Sequence, residues 1–396
     1  MDLTALLAGS PVIDGHNDLL WTARVATGYD FERLDVGTDL SADLTTGSTP
    51  THTDLPRMRV GGVGAQFWSV YVPTRLTGDD AVSATLEQVD AAYNLTQRHP
   101  DQLAMARTAD DVEAAWANGR MASLMGAEGG HSINCSLGTL RQLHALGVRY
   151  LTLTHNANTP WADSATDAPV AGGLTRFGRE VVREMNRLGM MVDLSHVSAD
   201  TMRDALAVTE VPAIFSHSSA RAVTDSPRNA PDDVLESLRD QGGICMVTFV
   251  PRFVNQACAD WHRSALEAAS VEGITEADGA RFTPFYESYR AAHPEPPADL
   301  TDVVAHCEHV REVAGIDHVG LGGDYDGVEM LPRGLEDVSR YPALLGALAE
   351  AGWSESDLAR LTCRNILRVM RAVENGAREI QQRRGPSLAR MEDLDG

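Results

Sequence analysis

The chain has 396 residues, which is enough to bury a large core either as one barrel with insertions or as two domains. Its formal charge of −23 at pH 7 argues against nucleic acids and anionic membrane surfaces as partners, because both attract basic proteins. The five cysteines are widely spaced and form no Cys-x-x-Cys pair, so we expect reduced thiols rather than disulfides or a thiolate zinc site.

The start of the sequence gives no sign of export. The first ten residues lack a basic start and a long apolar segment, so we predict no secretory signal. No later run approaches the ~20 apolar residues of a membrane span. We therefore expect a cytoplasmic protein without a membrane partner, and the composition leaves a homo-oligomer open.

Strand-like and helix-like segments alternate along the chain. Apolar, strand-like runs occupy residues 11–13, 61–72, 121–130, 150–155, 190–196, 211–217, 243–250 and 318–324, and we expect Gly15 to break the first of them. Helical periodicity and capping residues predict helices at residues 79–99, 137–146, 175–188, after Ser198, at 231–239 and at about 300–314. A last long helix begins at the capping box of Ser354.

Eight strand-like runs that alternate with helices predict an α/β fold, a (β/α)8 TIM-type barrel. The alternative, a doubly wound open sheet, would usually place a glycine-rich nucleotide loop after its first strand, and none is present there. We assign residues 1–375 to the barrel. An insertion after strand seven, about 255–297, is too long for an ordinary loop and is expected to form helices over the barrel mouth. Residues 376–396 form a charged C-terminal tail, expected as a surface helix or a partly disordered segment.

Six of the predicted strands end in residues that can bind a metal. These are His16 and Asp18, Glu128, His155, His196, His217 and Asp324. An isolated His-x-Asp would suit a polar strand end, with Asp14 or Asp18 capping the next turn. However, the carboxyl ends of all barrel strands face one cleft, so these residues would converge. They are too many for one catalytic zinc with an open position, which favours two metals about 4 Å apart that share a carboxylate.

Seven segments resemble, in order, the motifs of the membrane (renal) dipeptidase family of the amidohydrolase superfamily. They are HND at 16–18, GAEGGH at 126–131, LTLTHNANTPWAD at 151–163, DLSH at 193–196, FSHSSA at 215–220, RNAPDD at 228–233 and GGDYDG at 322–327. The resemblance covers about residues 11–375. It implies two Zn²⁺ ions per chain, one held by His16, Asp18 and Glu128. The other would be held by Glu128, His196 and His217.

The same resemblance implies the roles of three further residues. His155 would polarise the scissile carbonyl, Arg228 would bind the substrate's carboxylate, and Asp324 would carry the proton of a metal-bridging water. Two zinc ions would lower the pKa of that water from ~16 toward ~7. The planar fork of an arginine suits a carboxylate, although Arg228 could instead form a surface salt bridge with Asp232 or Asp233.

The sequence thus predicts a dinuclear zinc dipeptidase that hydrolyses small dipeptides, with D-residues at the second position left open. Three alternatives remain: a related hydrolysis such as N-acyl amino acid deacylation or lactone opening, a metal-dependent decarboxylation, and a non-catalytic binding protein on the same scaffold. One departure concerns Asn156, which stands where mammalian members carry a cysteine. Cell-surface roles are therefore not carried over from the family.

Overall fold

A computed structural model describes residues 1–47, 50–275 and 279–396, and its centre is a parallel barrel. The strands are β1 Val12–Asn17, β2 Val63–Tyr71, β3 Leu103–Met105, β4 Met121–Glu128, β5 Val148–Thr152, β6 Met191–Asp193, β7 Ile214–Phe215, β8 Ile244–Val247 and β9 Val319–Leu321. Eight of them close in the order β1, β2, β4, β5, β6, β7, β8, β9, with β9 pairing again with β1. The predicted (β/α)8 barrel is confirmed. The short strand β3, which the sequence analysis missed, pairs with the start of β4 outside the ring.

The helices that surround the barrel follow the predicted alternation. They are α1 Leu3–Gly9, α2 Leu19–Thr27, α3 Leu55–Val60, α4 Gly78–Arg98, α5 Ala109–Ala117, α6 Leu137–Ala145, α7 Arg176–Leu188, α8 Ala199–Val208, α9 Asp232–Asp240, α10 Pro251–Val254, α11 Gln256–Val271, α12 Gly279–Ala292, α13 Leu300–Ala314, α14 Tyr341–Glu350, α15 Glu355–Ala359, α16 Asn365–Arg383 and α17 Met391–Asp395. Within the described part of the chain, no helix is long and apolar enough to cross a membrane.

Several predicted helix starts are confirmed by side-chain capping. The side chains of Thr175, Ser198 and Ser354 each accept a hydrogen bond from the backbone N–H three residues later. Such caps satisfy a donor that the first helical turn leaves free, and each typically contributes about 1 kcal/mol. The last predicted helix is a continuous run in which a π-helical turn, Arg360–Arg364, joins α15 to α16.

The expected break of the first strand at Gly15 is wrong, because β1 continues to Asn17. A Cβ atom at Gly15 would lie 2.4 Å from the carbonyl oxygen of Ser216 and 2.7 Å from the sulfur of Met246. Glycine is therefore required there because β8 and the end of β7, which do not pair with β1, approach its backbone closely, and not because of a turn.

Two segments outside the regular repeat are helical. In the insertion, α11 and α12 follow β8, and Ala259, His262 and Leu266 of α11 line the cleft at the barrel mouth. At the C-terminus, the carboxylate of Asp395 in α17 accepts hydrogen bonds from the backbone N–H groups of Arg176 and Phe177 at the start of α7. The tail is thereby attached to the outer helical layer.

Candidate active site

The seven predicted ligand-type side chains converge at the carboxyl end of the barrel. Glu128 is the last residue of β4, whereas His155, His196, His217 and Asp324 lie two or three residues beyond the ends of β5, β6, β7 and β9. Two of these loop residues, His196 and Asp324, have left-handed backbone conformations with φ of 67° and 61°. Such angles are uncommon in residues other than glycine, so the loops hold these two side chains at some conformational cost.

Glu128 lies between two groups of potential metal ligands. Its Oε1 atom is 3.0 Å from His196 Nε2 and 3.5 Å from His217 Nε2. Its Oε2 atom is 3.5 Å from His16 Nε2, which in turn is 3.3 Å from Asp18 Oδ2. One carboxylate therefore presents one oxygen to each group, which is the arrangement that a bridging ligand requires.

Among the described residues, three sets of three side chains could hold a metal ion, and the ligand atoms within each set all lie within 4.8 Å of one another. They are His16, Asp18 and Glu128; Glu128, His196 and His217; and His16, His217 and Asp324. The first two are the sets that the family resemblance implies. The third brings in Asp324, whose Oδ1 atom lies 4.0 Å from His16 Nε2.

The donor atoms of this cluster fit divalent cations. Among the described residues, His16 Nε2 and Asp18 Oδ1 are buried without a hydrogen-bond partner, and the Nε2 atoms of His196 and His217 face each other at 3.0 Å. Buried polar atoms without partners are uncommon in folded proteins, and imidazole nitrogens with carboxylate oxygens form the usual ligand set of a catalytic zinc. The residues present therefore suit a pair of metal ions.

Charge in the cluster also favours a cation. Burial alone would lower the pKa of His16, but the surrounding Tyr150, Glu128 and Asp18 together raise it well above its usual range. Burial alone would likewise raise the pKa of Glu128, but His16 and His155 hold it well below the usual range. Positive charge at the centre is thus stabilised by the ionised carboxylate of Glu128.

Two other groups at the cleft are suited to different tasks. Burial lowers the pKa of His155 to about 4, so its imidazole is neutral at pH 7 and can donate one N–H. Burial raises the pKa of Asp324 well above its usual range; His16 opposes this rise, while Asp18 and Glu128 add to it. A carboxyl group with a raised pKa can both accept and deliver a proton near neutral pH.

Arg228 is a buried cation without a carboxylate partner. It is only 2% exposed, and its Nε and Nη2 atoms have no hydrogen-bond partner among the described residues. Its Nη1 atom is 3.4 Å from Ser218 Oγ, and its guanidinium lies 5.0 Å from the centre of the Phe253 ring. Burial lowers its pKa to about 10, so it stays charged at pH 7.

The alternative of a surface salt bridge for Arg228 is wrong. Asp233 pairs with Arg203 at 2.8 Å, and Asp232 pairs with His309 at 2.8 Å. The Arg228 guanidinium instead faces the cleft, where an anionic ligand would satisfy its free N–H groups.

The cleft above the cluster has a volume of ≈ 640 Å³, which suits a small molecule. Its wall includes Asp18, Glu128, His155, His196, Arg228 and Asp324 together with Trp21, Tyr71, Arg252, Phe253, His262 and Leu266. The wall thus combines aromatic and apolar side chains with the strongly polar residues of the cluster.

Sequence reasoning assigned no role to four residues that contact the predicted ligands from behind. The Nδ1 atom of His16 lies 2.8 Å from the hydroxyl of Tyr150, and that of His217 lies 2.8 Å from Ser216 Oγ. Asp14 and Asp193 hold the backbone beside the ligand histidines. A signal was available, since each aspartate precedes a predicted ligand histidine by two or three positions.

Several solved structures share this fold. The probable dipeptidase PvdM from Pseudomonas aeruginosa is 22% identical, with a TM-score of 0.81 over 94% of this chain and 98% of that one. A metallopeptidase from Rhodobacter sphaeroides, solved with a phosphinate mimic of the dipeptide L-Ala-D-Ala, is 26% identical, with a TM-score of 0.74 over 92% of this chain and 99% of that one. The dipeptidase AC, a metallopeptidase of family M19, is also 26% identical, with a TM-score of 0.75 over 92% and 98% of the two chains.

The family match covers nearly the whole chain. A model of the membrane dipeptidase family matches residues 1–384, a range that includes every residue of the cluster and the insertion above it. The chain therefore belongs to the membrane dipeptidase family, Peptidase family M19.

Proposed function

We propose that this metal-dependent dipeptidase carries two zinc ions and hydrolyses the amide bond of free dipeptides. The observation that carries the proposal is Glu128, whose two oxygens face two separate ligand groups. His16 and Asp18 would complete one site, and His196 and His217 the other. The nitrogen and oxygen donors favour zinc over magnesium or calcium, which prefer oxygen ligands alone.

The free carboxylate of the dipeptide would bind Arg228. Support comes from the two unpaired N–H groups of this buried guanidinium at the base of the cleft. A carboxylate can accept two parallel hydrogen bonds from such a fork, which fixes both the position and the orientation of the substrate. A longer peptide has an amide at this point, so the cleft would select dipeptides.

The second residue of the substrate could have either configuration. The similar metallopeptidase from Rhodobacter sphaeroides was solved with a mimic of L-Ala-D-Ala, which supports acceptance of a D-residue at that position. We therefore include dipeptides with a D-residue among the proposed substrates.

The side chains around the cluster would divide the chemistry. The bound ions would supply Lewis acidity and an activated water. The neutral imidazole of His155 would donate its N–H to the oxygen of the scissile carbonyl as negative charge develops there. Asp324 would accept a proton from the attacking water and deliver it to the amine that leaves. Arg228 would keep the scissile bond between these two groups.

The proposal is tested by metal analysis of the purified protein together with a dipeptide library that includes D-residues at the second position. We expect about two zinc ions per chain and release of two amino acids from free dipeptides. Full activity with one tightly held ion would refute the dinuclear centre. Turnover of N-acyl amino acids but not dipeptides, or release of carbon dioxide without a new amine, would refute the peptidase reaction.

A further inference from the structure

We propose that two buried aspartates position the two metal sites separately, Asp193 for the site of His196 and His217 and Asp14 for the site of His16. Both aspartates are 0% exposed, and neither belongs to the proposed ligand sets. The inference rests on the proposed dinuclear centre. It goes beyond that centre by naming the residues that fix its geometry and by dividing them between the two ions.

Asp193 accepts hydrogen bonds from the segments that carry both histidines of one site. Its Oδ1 atom accepts from the backbone N–H of Ser195 at 3.1 Å and from that of Ser216 at 2.8 Å. These two residues directly precede His196 and His217. A single carboxylate at the end of β6 therefore ties together the two loops that present the ligands.

The other oxygen of Asp193 acts on His217 through a hydroxyl group. Ser216 Oγ lies 2.7 Å from Asp193 Oδ2 and 2.8 Å from His217 Nδ1. A carboxylate can only accept, so the single hydroxyl proton of Ser216 points to Asp193. The hydroxyl oxygen must then accept the N–H of His217 Nδ1, which leaves the Nε2 lone pair free for a metal ion.

Asp14 has the corresponding place at the other site. It accepts from the backbone N–H of His16 at 2.8 Å and from that of Gly323, next to Asp324, at 3.2 Å. The hydroxyl of Tyr341 donates to its second oxygen. The hydrogen bonds of Asp14 thus connect β1 to the loop after β9, while those of Asp193 connect the loop after β6 to the loop after β7.

The two hydrogen bonds that run from His217 Nδ1 through Ser216 Oγ to position 193 form a relay, and an asparagine at position 193 would reverse their direction. Its amide has one accepting oxygen, and the two backbone N–H groups would take that oxygen. The NH₂ group would then face Ser216, whose hydroxyl would accept from it and turn its own proton toward His217 Nδ1. The ring would then carry its proton on Nε2, the atom that faces the cluster, and this tautomer cannot bind a metal through Nε2.

The test measures stepwise affinities for Zn²⁺ and Co²⁺ by competition with a chromophoric chelator, together with the visible spectrum of bound Co²⁺. In a His16→Ala background, which retains the site of His196 and His217, Asp193→Asn should lower the affinity by about 10- to 100-fold. In a His217→Ala background, Asp193→Asn should leave the remaining site unchanged. Asp14→Asn should lower the affinity in the His217→Ala background and leave it unchanged in the His16→Ala background. Ser216→Ala removes the relay without altering charge and should weaken the same site as Asp193→Asn.

The control is a buried aspartate whose hydrogen bonds, among the described residues, do not involve the segments that carry the ligand histidines. Asp54 is also 0% exposed and accepts from the backbone N–H groups of Arg57 and Leu40, so Asp54→Asn should destabilise the fold without changing either affinity. Equal weakening of both sites by Asp193→Asn, or no weakening by either Asp193→Asn or Ser216→Ala, would overturn the inference. An unmutated protein that binds fewer than two ions would instead refute the proposed function.

Discussion

Arg228 gives the sharpest test of substrate selection, because its guanidinium is charged, buried and without a carboxylate partner among the residues that the structure describes. The perturbation is a single group on the substrate: the free carboxylate of a dipeptide is replaced by a neutral amide. Only the acid can neutralise Arg228 and accept from both its free Nε and its free Nη2 group, one through each oxygen. The amide is neutral and has a single accepting oxygen, so its NH₂ group would face an N–H of a guanidinium that has no accepting atoms.

The magnitude follows from the burial of the site. At 2% exposure, water cannot replace the missing partner, and an unpaired member of a buried charged pair typically costs ~2–5 kcal/mol. Amides and tripeptides should therefore be worse substrates by about 30-fold to about 5,000-fold in kcat/KM. Arg228→Met should remove most of this difference, because it harms the free acid far more than the amide.

The assay compares kcat/KM for matched free-acid and amide dipeptides on the unmutated protein and on Arg228→Met. Arg263→Met is the control, since Arg263 also lines the cleft but is 51% exposed and pairs with Asp260 at 3.1 Å. This variant should keep the ratio of acid to amide within about threefold, as expected for an exposed pair. Equal kcat/KM values for acid and amide in the unmutated protein would refute the binding of the substrate's carboxylate by Arg228.

Three further predictions concern the cluster and the tail. Glu128→Gln should lose both metal ions and activity together, as measured by metal analysis and kcat; retention of two ions would contradict a bridging role. Asp324→Asn should keep most of the metal and lower kcat by roughly 10²- to 10⁴-fold, and metal loss in proportion to activity would make Asp324 mainly a ligand. Asp395→Ala should lower the free energy of unfolding by about 1 kcal/mol through the lost cap of α7, with kcat/KM unchanged; a loss of activity would show that the tail reaches the site.

The barrel could be predicted because each of its strands is fully buried or nearly so. Parallel strands covered by helices appear in the sequence as continuous apolar runs, and the ligand residues follow these runs directly. The strand β3 could not be found in this way, since it lies outside the ring and only the first of its three residues, Leu103, is fully buried. The continuation of β1 through Gly15 also depends on a contact with Ser216, about 200 positions away, which no local pattern contains.

The candidate ligands could be proposed from their residue types, but their geometry could not. The positive φ of His196 and Asp324 is uncommon for residues other than glycine, and no pattern in the sequence indicates it. The burial of Arg228 could not be predicted from the sequence either, because the nearby Asp232 and Asp233 were plausible partners for a surface salt bridge. Their real partners, His309 and Arg203, come from other helices.

The site uses two different means of placing its side chains, and the difference follows from what each ligand must do. Glu128 faces both groups of candidate ligands, and it ends the strand that has the longest register with a neighbour, from the Ala65–Ala122 pair to the Tyr71–Glu128 pair. A backbone ladder fixes its position from both sides, since β5 also pairs with β4 as far as Thr152 and Glu128. His196 and His217 follow strands of only three and two residues, so their loops need the added hydrogen bonds of Asp193. Changes in the supporting aspartates should therefore affect one ion at a time, whereas displacement of β4 should affect both.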